Sequence, residues 1–258
     1  MQESYLYEKV YGFSNENISS YNSLYDFKDK KVLSVLGSGD QYFSSILFGA
    51  KEVDLFDSNR LAWYYFILKY YGIKTLSFKE FYDFFVTSNL SNVKIYNIIR
   101  NSLPTNVRDY FDNLIARNIK LSSNKIKTSL FSNEENFKSG TFIPYFDKET
   151  YYVLQNKLNN TKEPNTFFCD IKNLSQDVDN QYDLMLCSNI YHYLFISADE
   201  FRSILDEFNI PVFQALYTWS LFPLEIVEFK RSGFLINKVK SVSLENKEQG
   251  DYILTLKK

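Results

Sequence analysis

Residues 32–41 read Val-Leu-Ser-Val-Leu-Gly-Ser-Gly-Asp-Gln; a helix-sized stretch then runs to Gly49-Ala50, and residues 52–57 read Glu-Val-Asp-Leu-Phe-Asp. An apolar run enters a glycine-marked turn, and a second apolar run ends in a carboxylate. This is the pattern of a strand, a crossover helix and a parallel strand. Asp57 lies 20 positions beyond Gly37, the spacing at which an acid at the tip of a second strand reaches a ribose hydroxyl. The stretch therefore predicts a nucleoside-containing cofactor at the mouth of a parallel sheet.

Working outward, residues 31–36 form strand one, 40–48 a helix stopped by Gly49, and 52–56 strand two. Residues 60–71 form a long aromatic helix that ends at Gly72, and residues 1–30 a short helix or lid. Between 79 and 164 the periodicity becomes helical. Phe81, Phe84 and Phe85, then Val93, Ile95, Ile98 and Ile99, recur at amphipathic spacing. Helices are expected at 105–116 and 150–158, with a polar loop at 122–138. This block is too long for an ordinary strand connection and reads as a helical cap over the cofactor mouth, within a single 1–258 domain. Strands resume at 166–169, 182–187 and 211–216, with helices at 199–208 and 224–232. A terminal hairpin pairs 238–244 with 252–256. The predicted fold is α/β and Rossmann-like: a mostly parallel seven-stranded sheet with a C-terminal antiparallel hairpin and a helical insertion after strand two.

The bulk numbers narrow the function. At 45% apolar and 23% charged the chain is a folded protein, and a net charge of −2 over 258 residues gives no general attraction for a polyanion. The sequence has no Asn/Asp-Pro-Pro-Tyr motif and no basic-aromatic stripe, so a nucleic-acid acceptor is not expected. One histidine and two separated cysteines, Cys169 and Cys187, argue against a metal site and for reduced, buried thiols. The start carries no basic-then-apolar leader and no run suits a membrane span, so the expected location is cytoplasmic.

The departures from a dinucleotide fingerprint are informative. Gly37 and Gly39 let the backbone turn and let a ligand approach, but the third glycine position holds Tyr42. Asp40 puts negative charge at the helix start, where it would repel a pyrophosphate and suit a cofactor with an amino-acid tail and a cationic centre. These residues favour S-adenosylmethionine over a nicotinamide dinucleotide. Asp57 can accept from both ribose hydroxyls, unless it is a solvated surface acid. Asp170 either holds an adenine amino group, with Ile171 packing on the ring, or caps a short turn. Asn189 and Tyr191 follow the fourth strand, where they would bind the methionine part or orient an acceptor.

The segments at 32–41, Val-Asp-Leu-Phe-Asp-Ser-Asn at 53–59, Phe-Cys-Asp-Ile at 168–171 and Leu-Cys-Ser-Asn-Ile at 186–190 resemble the successive motifs of class I S-adenosylmethionine-dependent methyltransferases. Leu-Gly-Ser-Gly-Asp-Gln with a large insertion after strand two is more specifically similar to a bacterial family related to enzymes that transfer the 3-amino-3-carboxypropyl group to diacylglycerol. The likeness spans roughly residues 25–258; within the insertion only Leu-Pro-Thr-Asn-Val-Arg-Asp-Tyr-Phe at 103–111 carries it. It implies that Gly37 and Gly39, with Ser38 beside them, face the methionine part. Asp57 and Ser58 would then face the ribose, and Asp170 the adenine. The family's acid two places before the first glycine is Val35 here, with Asp40 a substitute.

Methyl transfer depends on in-line positioning more than on an acid or base. His192 is the available base if the acceptor carries a proton, or else a packed residue. Arg100 and Arg108 could hold an acidic acceptor or form salt bridges within the cap, and Tyr21 and Tyr25 could close over the methionine moiety. Small-molecule methylation is the leading expectation. Aminocarboxypropyl transfer to a small or lipid acceptor, or cofactor binding without turnover, are the alternatives.

Overall fold

The computed structural model describes residues 10–87, 92–121, 142–178, 181–242 and 250–258. β1 (Lys31–Val35) and β2 (Glu52–Phe56) pair in parallel, Lys31 opposite Glu52 and Val35 opposite Phe56. A parallel pair needs a crossover, and α2 (Asp40–Phe48) supplies it. Gly39 (φ +81) opens that helix and Gly49 (φ +103) ends it, donating to the Ser45 and Ile46 carbonyls. Before them, a single 3₁₀ turn at Ile18–Ser20 runs into α1 (Tyr21–Leu24). α3 (Arg60–Thr75) follows β2, started by the Asn59 side chain accepting from Leu61 N–H.

The sheet has seven strands in the order β3-β2-β1-β4-β5-β7-β6. β3 (Thr166–Phe167), β4 (Leu184–Leu186) and β5 (Val212–Thr218) run parallel to β1 and β2, while β7 (Asp251–Lys257) is antiparallel to both β5 and β6 (Leu235–Val239). The antiparallel strand therefore lies inside the edge, and β6 forms the edge itself. β6 also begins three residues earlier than the expected 238, because the chain re-enters the sheet directly after the turn at Gly233 (φ +87). Short helices α8 (Ile171–Leu174) and α9 (Tyr191–Leu194) follow β3 and β4; α10 (Ala198–Asp206) leads to β5, and α11 (Pro223–Arg231) to β6.

Alternate side chains divide between two cores, as strand geometry requires. Val32, Leu184, Leu186 and Tyr217 face α2, α3 and the inserted helices. Leu33, Met185, Cys187 and Phe213 face α8, α10 and α11. The first side is much the thicker. It takes in α4 (Phe78–Phe81), a π-helical stretch at Tyr82–Thr87, α5 (Val93–Arg100), α6 (Thr105–Leu121) and α7 (Lys148–Asn159), which lie against α2 and α3. Phe81, Phe84, Phe85, Tyr96, Phe111 and Tyr151 are buried in this layer. The expected loop at 122–138 lies outside the described residues.

α3 does not stop at Gly72. A Cβ there would sit 2.6 Å from the Phe85 ring, so the glycine serves close packing of the insertion rather than helix termination. Cys169 and Cys187 are both free thiols. Among the described residues no helix is long and apolar enough to cross a membrane.

Candidate functional site

The carboxyl ends of the parallel strands bring the predicted residues into a row. Asp170 follows β3, Asp57 follows β2, the Gly37–Gly39 turn follows β1, and Asn189 follows β4. Three strand spacings of about 4.8 Å place the ends of β3 and β4 about 14 Å apart. Among the described residues nothing lies within 4 Å of where a Cβ on Gly37 (φ +47) would stand, so these residues leave its outer side open. Gly39 differs: a Cβ there would lie 2.5 Å from the Phe66 ring. That glycine seats α2 against α3 rather than giving room to a ligand.

Asp57 is half-buried and turned back over the glycine turn. Its Oδ2 accepts from Gly37 N–H (3.0 Å) and its Oδ1 from Asn59 N–H (2.8 Å). Burial pushes its carboxyl up to about 6, against the pull of those two N–H groups. Ser58 beside it is exposed. Asp170 is exposed and accepts from Lys172 N–H (2.9 Å) as the cap of α8. Ile171 is buried in the second core, and the exposed ring next to Asp170 is Phe168, 41% exposed with the Arg60 guanidinium 5.3 Å above it.

Asp40 has no exposure at all. Its Oδ1 accepts from Lys69 Nζ (2.8 Å) and from the Tyr145 hydroxyl; its Oδ2 accepts from Ser38 Oγ (2.8 Å) and Ser14 N–H. Lys69 is equally buried, caged by the Phe13, Tyr65 and Phe43 rings, and its ammonium also donates to the Gly12 carbonyl (2.9 Å). Burial lowers the Lys69 pKa while Asp40 raises it. The pair pins the segment preceding α1 down onto α2 and α3, and Ser38 is enclosed with it. Tyr42, at the third-glycine position, turns its ring toward Phe66 and Tyr70, and its buried hydroxyl has no partner among the described residues.

Two residues absent from the sequence-based set lie at the centre of the mouth. Ser188 holds a left-handed backbone (φ +55), uncommon for an L-residue. Gln214 from β5 fixes it, accepting from Ser188 N–H (2.7 Å) and donating to its carbonyl (3.3 Å). Glu16 is 2% exposed and reaches across from the N-terminal segment. It accepts from Ser188 Oγ, the Tyr21 hydroxyl (2.6 Å) and Gln41 Nε2 (3.0 Å). Burial raises its pKa, partly offset by the Ser188, Tyr21 and Gln41 hydrogen bonds.

The remaining expected residues scatter. Tyr21 is wholly buried beneath Glu16, and Tyr25 bonds Thr255 Oγ1 (2.8 Å) in the core. Tyr191 packs its ring between Phe201 and Phe229, each 5.2 Å away, while His192 is exposed. Partial burial lowers the His192 pKa, with Glu225 pulling the other way. Arg100 is tied to Asp112 through three contacts of 2.7–3.1 Å, and Arg108 reaches Asp109 at 3.9 Å. Both arginines belong to the layer against α3, on α5 and α6.

No known protein-family profile and no curated protein matches the chain. Among solved structures it is similar to a ribosomal protein L11 methylase from Lactobacillus delbrueckii subsp. bulgaricus, at 12% identity and TM-score 0.42, covering 94% of this chain and 77% of that one. It is also similar to a putative S-adenosylmethionine dependent methyltransferase from Listeria monocytogenes (9%, TM-score 0.39, 94% and 98% covered). A third is an S-adenosylmethionine dependent methyltransferase from Mesorhizobium loti (10%, TM-score 0.37, 93% and 96% covered).

Proposed function

We propose that this chain is an S-adenosylmethionine-dependent transferase that methylates a small-molecule acceptor. The observation that carries the reading is the row Asp170, Asp57, Gly37 and Ser188-Asn189 along the carboxyl edge of β3, β2, β1 and β4. A nucleoside whose ribose meets Asp57 and whose base lies toward Asp170 must send its 5′ substituent over Gly37 toward β4. The point between β1 and β4, where strand order reverses, is where open α/β sheets hold their ligands.

Asp57, when ionised, offers lone pairs to both ribose hydroxyls beside the two N–H groups it already accepts from. Asp170 offers an exposed carboxylate to an amino group on the base, with Phe168 the apolar surface at hand. Gly37 leaves the 5′ side unobstructed. The bound cofactor would supply a sulfonium methyl carbon, and the chain's part is to align an acceptor with it and exclude water. Ser188 and Asn189 are half-buried at that end, and His192, a neutral imidazole at pH 7, is the nearby group able to take a proton. Tyr191 holds its short helix in register by packing. An acidic acceptor would meet Arg108 more readily than Arg100, whose guanidinium Asp112 already holds.

The test is incubation of purified protein with S-adenosylmethionine and a panel of amine, hydroxyl and thiol acceptors. S-adenosylhomocysteine as product is the expected result. Methylthioadenosine would instead mark aminocarboxypropyl transfer, and saturable binding with neither product would mark a binding protein.

A further inference from the structure

Two carboxylates are buried at the mouth, and they differ in what neutralises them. Asp40 has the Lys69 ammonium at 2.8 Å. Glu16 receives only neutral donors, and no cation among the described residues lies within ion-pair distance of it. A buried carboxylate with no counter-ion is unfavourable unless a charge arrives from elsewhere. We infer that Glu16, with Ser188 and Asn189, is the binding site for the α-ammonium group of the cofactor's amino-acid tail.

This inference rests on the cofactor assignment above and adds the residue that grips the far end of the ligand. Glu16 spans from Gln41, in the first turn of α2, to Ser188 at the end of β4. It therefore bridges the β1–β4 gap into which the 5′ substituent must run. Ser188 Oγ lies 3.4 Å from Asn189 Oδ1, so Glu16 Oε1, Ser188 Oγ and Asn189 Oδ1 form a run of three acceptors, the number an ammonium requires. Ser188 and Asn189, at one end of the run, are half-exposed. The backbone on both sides is held in place. Lys69 binds the Gly12 carbonyl, and Asn17 donates its N–H to Tyr217 (2.9 Å) and its side-chain amide to the Lys240 carbonyl (2.9 Å). Glu16 is thus pre-positioned, which is how a charge placed in a low-dielectric site becomes effective. Asp40 is already neutralised by Lys69, which leaves Glu16 as the buried acid of this pair still without a cation among the described residues.

Calorimetric titration with S-adenosylhomocysteine and with 5′-methylthioadenosine tests this, because the second ligand keeps the nucleoside and lacks the amino-acid tail. In Glu16→Gln, affinity for S-adenosylhomocysteine should fall at least about tenfold, and affinity for methylthioadenosine less than about twofold. Equal losses would mean that Glu16 only supports packing, and an unchanged affinity for S-adenosylhomocysteine would overturn the inference alone. Wild-type protein that binds neither ligand would overturn the cofactor assignment and this inference with it.

A second measurement needs only the wild type, in case the variant does not fold. Proton release on binding is read from binding enthalpies in buffers of different ionisation heat, between about pH 5 and pH 8. Asp57 meets the ribose of both ligands, so its protons cancel in the comparison. Around Glu16 the titratable groups are Tyr21 from α1, Asp40 from α2 with its partner Lys69 from α3, and Tyr217 from β5. S-adenosylhomocysteine should release more protons than methylthioadenosine as Glu16 ionises. Equal release across the range contradicts the proposal.

Discussion

The open rim of the mouth and the buried set beneath the N-terminal segment are built from the same residue types, yet they are finished differently. On the rim, Asp57 and Asp170 follow directly on their strands and keep acceptor capacity beyond one or two backbone N–H groups. Under the segment, Asp40 has four protein donors and is wholly enclosed. A carboxylate saturated by its own protein holds the fold; one left partly unsatisfied is available to a ligand. Position at a strand end is therefore not enough to assign a role, and the donor count separates the two kinds of acid. Substitutions at the Asp40–Lys69 pair should change stability, and substitutions at Asp57 or Asp170 should change binding.

The largest expected effect is at Lys69. Lys69→Met leaves the Asp40 carboxylate buried without its cation, which typically costs about 3–5 kcal/mol. Thermal melting should show a loss on the order of 10 °C, and a loss under about 1 kcal/mol would erase the distinction between the two regions.

Asp57 should behave in the opposite sense. Its folded pKa of about 6 lies above the ordinary carboxylate value, so the folded state binds the proton more tightly than the unfolded chain. The stability Asp57 contributes is present at low pH and is lost as pH rises through about 6. Ligand hydroxyls need the ionised form, so affinity for S-adenosylmethionine should climb over the same window and fall about tenfold per pH unit below it. Titration of wild type against Asp57→Ala, following melting and binding together, checks both slopes. Parallel slopes would contradict the role of Asp57 as a binding residue. The smallest effect is expected at Tyr42, whose buried hydroxyl has no partner among the described residues. Tyr42→Phe should melt within about 1 kcal/mol of wild type or slightly above it, and a larger loss would reveal a polar contact there.

The two regions also differ in how far the chain's own order discloses them. α2 and β2 keep the boundaries read from sequence, because capping glycines and apolar runs are local signals. Glu16 has no such signal. It sits in an Asn-rich stretch, and its contact with Ser188 joins residues 172 apart in sequence. Tyr145 reaches Asp40 across 105 residues for the same reason. Gly72 marks helix ends and close packing equally well, and only the Phe85 ring across from it decides between them. Gln214 was the more legible clue. A fully buried polar residue inside the apolar run of β5 needs a partner, and that partner is the strained Ser188.

The central claim is that the rim binds S-adenosylmethionine through Asp57. Isothermal titration of folded, ligand-free protein should give a saturable one-site isotherm at about pH 7.5, and Asp57→Ala, shown by melting to be folded, should weaken it roughly a hundredfold. No saturable heat in the wild type, or equal affinity in the two proteins, would contradict the account.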